Sequence, residues 1–225
     1  FDVPKSEKIK NSTWKYKDPT GSGNIIVEPL DTVSAIAKYV SEGKTAVLNM
    51  ANARTKGGGV EKGSMAQEEC LFRCSNLFTI SDELYPIAID ELIYTHQATF
   101  IKNSDYETIW PMEVDVITIA APNLNKDHKG NESGEYLDQE YYSKVMKDKI
   151  CAMLSAAAEN ECVNIILGAW GCGAFKNDPN IVAKLFLDEL HTERWQFEKV
   201  IFAVINDRNS VANNYQIFHD TFNGF

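Results

Sequence analysis

Four short apolar runs rich in Val, Ile and Ala limit what this chain can fold into: residues 45–50, 114–121, 163–169 and 199–205. Each is too short for a core helix and too uniformly apolar for a strand with one wet face, so each reads as a strand buried on both faces. Helical spacing fills the gaps between them. Over 140–158, Tyr142, Val145, Met146, Ile150, Met153, Leu154 and Ala157 recur at three- and four-residue intervals. Asn177-Asp178-Pro179 is a helix start signal, and the pattern continues through Val182, Leu185 and Phe186 to about His191. Residues 31–40 and 66–78 also read as helices, 214–222 as a last short one, and 25–28 and 92–102 as further strands. Strands alternating with helices predict an α/β layer sandwich around a mixed, mainly parallel sheet. Residues 123–134, with Asn, Asp, Lys and Gly, read as a solvent loop within it.

The chain has 225 residues, a length suited to one domain with a full core. No stretch approaches the roughly 20 apolar residues that span a bilayer, and the first ten residues lack the apolar centre of a signal peptide. Five cysteines make an odd count that does not resemble a disulfide framework. These features predict a soluble protein of the cytoplasm or another reducing compartment. Cys70 and Cys74 sit four apart, but no further ligands follow at metal spacing, so they read as small buried residues and no metal or cofactor is expected. The four histidines are scattered and receive no chemistry. A net charge of −10 excludes a general nucleic-acid-binding surface, which needs a basic excess, yet leaves room for a local anion site built from backbone N–H groups.

Two glycine-rich stretches follow strand ends, where ligands sit in open α/β sheets. The first runs from Asn49 through Asn52 to Gly57-Gly58-Gly59; consecutive glycines let N–H groups approach an anion with no Cβ in the way. A mobile surface loop would explain them equally well. The second, Gly168 to Asp178, enters a helix start and contains Gly171, Cys172, Gly173, Ala174, Phe175 and Asn177. It lacks the spacing of a Walker or dinucleotide motif, and a tight strand-to-helix turn is the alternative reading. Seven residues beyond Gly59 comes Gln67-Glu68-Glu69. On a helical wheel both carboxylates point away from the apolar side of their helix, where acidic residues are often only dipole partners.

Together these stretches resemble the microbial-type poly(ADP-ribose) glycohydrolases, a branch of the macrodomain superfamily, in chain order and from about residue 31 to the strand at 202–204. The resemblance implies a three-layer α/β/α macrodomain spanning residues 1–225, with residues 1–30 as an N-terminal extension. It implies an enzyme that releases ADP-ribose from poly(ADP-ribose) or from ADP-ribosylated protein. Glu69 corresponds to the catalytic glutamate and Glu68 to its neighbour on the ribose hydroxyls, with Gln67 beside them. Gly57, Gly58 and Gly59 would contact the distal ribose and phosphate, with Asn52 in the ribose region. Gly171, Cys172, Gly173 and Ala174 would wrap the diphosphate, Phe175 would pack on the distal ribose, and Asn177 closes that loop. Lys56 stands where the family usually has proline, which implies a more mobile loop or one shaped for a different ligand. A non-catalytic ADP-ribose reader and a mono-ADP-ribosyl hydrolase are the competing readings.

Overall fold

The computed structural model describes residues 2–10, 23–126, 138–192, 195–208 and 210–223. Much of the loop expected at 123–134, with His128, lies outside the described residues. The described strands are β1 (Ser6–Lys10), β2 (Asn24–Glu28), β3 (Thr45–Met50), β4 (Glu91–Lys102), β5 (Thr108–Ile119), β6 (Asn164–Leu167) and β7 (Lys199–Ala203). They form one sheet in the order β1-β4-β5-β3-β6-β7-β2. β4 runs antiparallel to β1 and β5, and the other pairings are parallel, so the sheet is mixed and mainly parallel.

The uniform apolarity of the central strands reflects burial on two sides. Ala46 and Leu48, Ile165 and Leu167, and Val200 and Phe202 face one core, beneath α3 (Gln139–Glu159), α4 (Pro179–Leu190) and α5 (Asn214–Phe222). The alternate residues Val47, Ile166 and Ile201 face the other, beneath α1 (Thr32–Tyr39) and α2 (Gln67–Cys74). Three layers result. Aspartates start three of the five α-helices among the described residues: Asp31, Asp138 and Asp178 each accept from backbone N–H of the first turn, worth about 1 kcal/mol apiece.

Two boundaries differ from expectation by four residues or more. The helix expected over 66–78 stops at Cys74, because Ser75 is extended, bridges to Phe100 and caps a separate 3-10 turn over Asn76–Thr79. β5 begins six residues early, at Thr108, as the returning arm of a hairpin with β4. β1, which the apolar pattern does not show, and β2, expected over 25–28, form the two edges of the sheet: β1 pairs with β4, and β2 with β7. The parallel strands β3, β6 and β7 end side by side, and both glycine-rich stretches leave the sheet there.

Candidate active site

Beyond those strand ends opens a cleft of about 1300 Å³, with the loop after β3 and the start of α2 on one side and the loop after β6 on the other. Backbone geometry explains the triple glycine. Gly57 and Gly58 have φ of +68° and +59°, a left-handed region that costs an L side chain energy. A Cβ on Gly58 would lie 2.5 Å from Glu69 Oε1 and 2.8 Å from Glu68 Oε2, so this glycine lets the chain cross directly over both carboxylates. Gly57 is buried against Phe72 and shapes the loop from beneath. The loop is also pinned. Asn52 Oδ1 accepts from Arg54 N and Thr55 N, Arg73 donates to Val60 O and Ser64 O, and Lys56 Nζ donates to Phe78 O and Ile80 O while pairing with Asp82 at 2.5 Å. Lys56 therefore ties this loop to the 3-10 segment by a side chain.

Both carboxylates are buried, Glu68 at 4% exposure and Glu69 at 6%, which corrects the expectation that they merely point off the core. The helical wheel located them correctly relative to α2 but could not show that the glycine loop folds over them. Glu69 Oε1 accepts from Gly59 N at 2.8 Å and its Oε2 from Ala66 N at 3.0 Å. Glu68 Oε2 accepts from Asn52 N at 2.8 Å, while its Oε1 is buried without a partner among the described residues. Burial pushes the Glu68 carboxyl up to about 8; the Asn52 N–H opposes that rise and the adjacent Glu69 adds to it. Tyr85, on the cleft wall, has its phenol pushed up by burial and then by Glu68.

The raised Glu68 value has a consequence for stability. Unfolded, this carboxyl ionises near its ordinary value of 4.5; folded, it holds its proton to about pH 8. Its contribution is therefore fully present below pH 4.5 and is lost as pH rises towards 8. Glu68→Gln removes that loss. Thermal melts should show the variant close to the parent at pH 5 and more stable at pH 8.5, by on the order of 5 °C. Identical melting differences at the two pH values would show that ionised Glu68 is not penalised.

The opposite wall is the loop from Gly168 to Asp178. Trp170 is fully buried and donates through Nε1 to Ile119 O, which anchors the loop to β5. Gly171 adopts φ +77°, and a Cβ there would lie 2.5 Å from Asn177 Nδ2. Gly173, Ala174 and Phe175 line the cleft, and among the described residues no acceptor faces their three N–H groups.

Three residues of the expected site use their side chains within the walls. Cys172 has its side chain in the core, and its carbonyl receives Val211 N and Asn214 Nδ2. Asn177 is buried, donating to Pro122 O and Gly171 O and accepting from Tyr142. Gln67 borders the cleft, yet its amide accepts from Met50 N and donates to Leu48 O and Thr32 Oγ1, bracing α2 against β3. Conversely, Asp31, Tyr85 and Tyr106 border the cleft without having been singled out. The turn at 103–107 that carries Tyr106 is visible as Asn-Ser-Asp, but its place over the cleft depends on how the β4–β5 hairpin is laid down.

The family model of the microbial-type PARG catalytic domain matches residues 5–117, half of the chain. The chain belongs to this family. Solved structures of PARG relatives agree. The poly(ADP-ribose) glycohydrolase of Deinococcus radiodurans in complex with ADP-ribose is 30% identical, with 90% of this chain and 86% of that one covered and a TM-score of 0.78. The Thermomonospora curvata enzyme bound to the inhibitor ADP-HPD is 25% identical, with 96% and 84% covered and a TM-score of 0.77. A further T. curvata PARG structure, at 24% identity with 96% and 85% covered, has a TM-score of 0.79 and shares the fold. A sequence comparison with curated proteins gives no match. Among the described residues no group of His, Cys, Asp and Glu is arranged to hold a metal ion, and no helix is long and apolar enough to cross a membrane.

Proposed function

We propose that this PARG-family chain is a poly(ADP-ribose) glycohydrolase that cleaves the O-glycosidic bond at the distal ribose and releases ADP-ribose. The observation that carries this reading is the pair Glu68 and Glu69, buried side by side under the Gly58 backbone and facing a wall with three consecutive N–H groups that have no acceptor among the described residues. A reader needs the anion wall but not two buried carboxylates at the ribose end. The homologous D. radiodurans enzyme forms a crystalline complex with ADP-ribose itself.

Breaking a bond at an anomeric carbon passes through an oxocarbenium-like state and needs a proton for the leaving oxygen and a base for water. Neighbouring residues cannot face each other across the bond, so one carboxyl performs both transfers. We assign these to Glu69, whose oxygens are fixed by Gly59 N and Ala66 N. It protonates the departing oxygen as the C1–O bond breaks, the substrate diphosphate steadies the cation, and Glu69 then takes a proton from the attacking water. Glu68 holds the ribose hydroxyls, with Gly58, Gly59 and Asn52 beside them. The N–H groups of Gly173, Ala174 and Phe175 receive the diphosphate, and the Phe175 ring covers the distal ribose. A reducing intracellular compartment fits the five free thiols.

Because these anion contacts are backbone N–H groups, binding needs no cation bridge. Calorimetry should give the same ADP-ribose affinity with and without EDTA. Incubation with poly- and mono-ADP-ribosylated substrates side by side should release ADP-ribose from the polymer. Tight binding with no release from any conjugate would make the chain a reader.

A further inference from the structure

We propose that Tyr85 is a positioning residue: as substrate enters, its hydroxyl donates to Glu68 Oε1 and fixes that carboxyl against the ribose hydroxyls. This role rests on the hydrolase reading. Two polar atoms motivate it. Tyr85 Oη and Glu68 Oε1 are both buried, and neither has a partner among the described residues. Both residues border the cleft. They are also held to one short stretch of chain. The Tyr85 ring packs on the small apolar cluster of Ala51, Ile87 and Ile93. Asn52 N donates to Glu68 Oε2 at 2.8 Å, and Ile87 N donates to Ala53 O at 2.7 Å. Consecutive residues 51–53 thus hold the tyrosine, the glutamate and the segment that follows the tyrosine.

The backbone around Tyr85 is pinned. Tyr85 N donates to Asp82 O at the end of the 3-10 turn Asp82–Leu84, and Lys8 Nζ donates to Pro86 O at 2.9 Å. A phenylalanine would fill the same apolar cluster without burying a hydroxyl, and a buried hydroxyl with no partner is costly. Hydrogen bonds at catalytic groups are often long before substrate binds and tighten in the complex, which supplies the missing partner. Other groups beside Glu68 are already engaged: Asn52 N is on Oε2, and Asn49 donates its amide to Thr118 Oγ1. With Tyr85 on Oε1 and Asn52 N on Oε2, the carboxyl plane of Glu68 is fixed at both oxygens, as Gly59 N and Ala66 N fix that of Glu69. Each oxygen keeps a lone pair for a ribose hydroxyl.

The test is Tyr85→Phe, which keeps the ring and removes only the hydroxyl, measured for melting temperature, ADP-ribose affinity by calorimetry and hydrolysis of poly(ADP-ribose). ADP-ribose should bind ~10-fold more weakly and KM for the polymer should rise by a similar factor, the size expected of one hydrogen bond. The change in kcat should be smaller, and the variant should melt no lower than the parent, because it loses a buried hydroxyl that has no partner among the described residues. In Glu68→Ala, which removes the acceptor, adding Tyr85→Phe should leave ADP-ribose affinity where Glu68→Ala alone puts it. Parental affinity and KM in Tyr85→Phe overturn the role, and so does a ~10-fold loss that persists in the Glu68→Ala background. A parent that binds ADP-ribose and releases none from any conjugate removes the hydrolase reading instead, while the affinity measurements on the four proteins still decide whether Tyr85 acts through Glu68.

Discussion

Glu69→Gln is expected to bind ADP-ribose about as well as the parent and to hydrolyse poly(ADP-ribose) ~100-fold more slowly or worse. The substitution keeps the size of the side chain and removes its titrating group. It also has a structural cost, because Glu69 accepts from two backbone N–H groups and an amide can accept from only one of them with its oxygen. Stability should therefore fall by about 1 kcal/mol. The two roles separate in one set of measurements on parent and variant: melting temperature, ADP-ribose affinity and single-turnover hydrolysis. A residue that only caps α2 gives the small stability loss with a near-parental rate, and that result would falsify the catalytic assignment.

Gly58→Ala should be as damaging by another route. At φ +59° alanine strains the backbone, and its Cβ meets both carboxylates at less than 3 Å, so the loop or the glutamates must shift. A displacement of about 1 Å at a reacting group can cost ~100-fold in rate, and we expect a loss of that order with a destabilisation of about 1–3 kcal/mol. Gly63 provides the control. Its φ is +79° and a Cβ there meets nothing within 4 Å, so Gly63→Ala carries backbone strain without the collision. It should melt lower and hydrolyse nearly normally. Equal rate losses in the two variants would mean that loop strain, rather than contact with the carboxylates, controls turnover.

Much of this architecture was legible because periodicity reports burial. The runs around Val47, Ile166 and Ile201 read as doubly buried strands and are; the spacing of Tyr142 to Ala157 read as an amphipathic helix and is. β1 escaped notice because an edge strand such as Ser-Glu-Lys-Ile-Lys buries little and carries few apolar residues. The cleft was legible as two glycine loops at strand ends, but not in its finer assignment. Spacing cannot show that Gln67 and Asn177 use their amides on the scaffold, that Cys172 turns into the core, or that Lys56 pins its loop through hydrogen bonds to Phe78 O and Ile80 O. Nor can it show burial of Glu68 and Glu69, which depends on a loop closing over them from outside their helix.

The placement of β1 and β2 at opposite edges bears on how the chain comes together during synthesis. Asn24 lies opposite Lys199, so β2, made well before β7, does not reach this partner until β7 has emerged. Until then its N–H and C=O groups are open to any other strand, including one from a second nascent chain. Closing that pairing fixes a contact between segments remote in sequence, a topology that folds slowly. Sealing this edge of the sheet thus joins an early-made strand to a late-made one, and a ribosome that stalls before β7 would leave β2 without its partner.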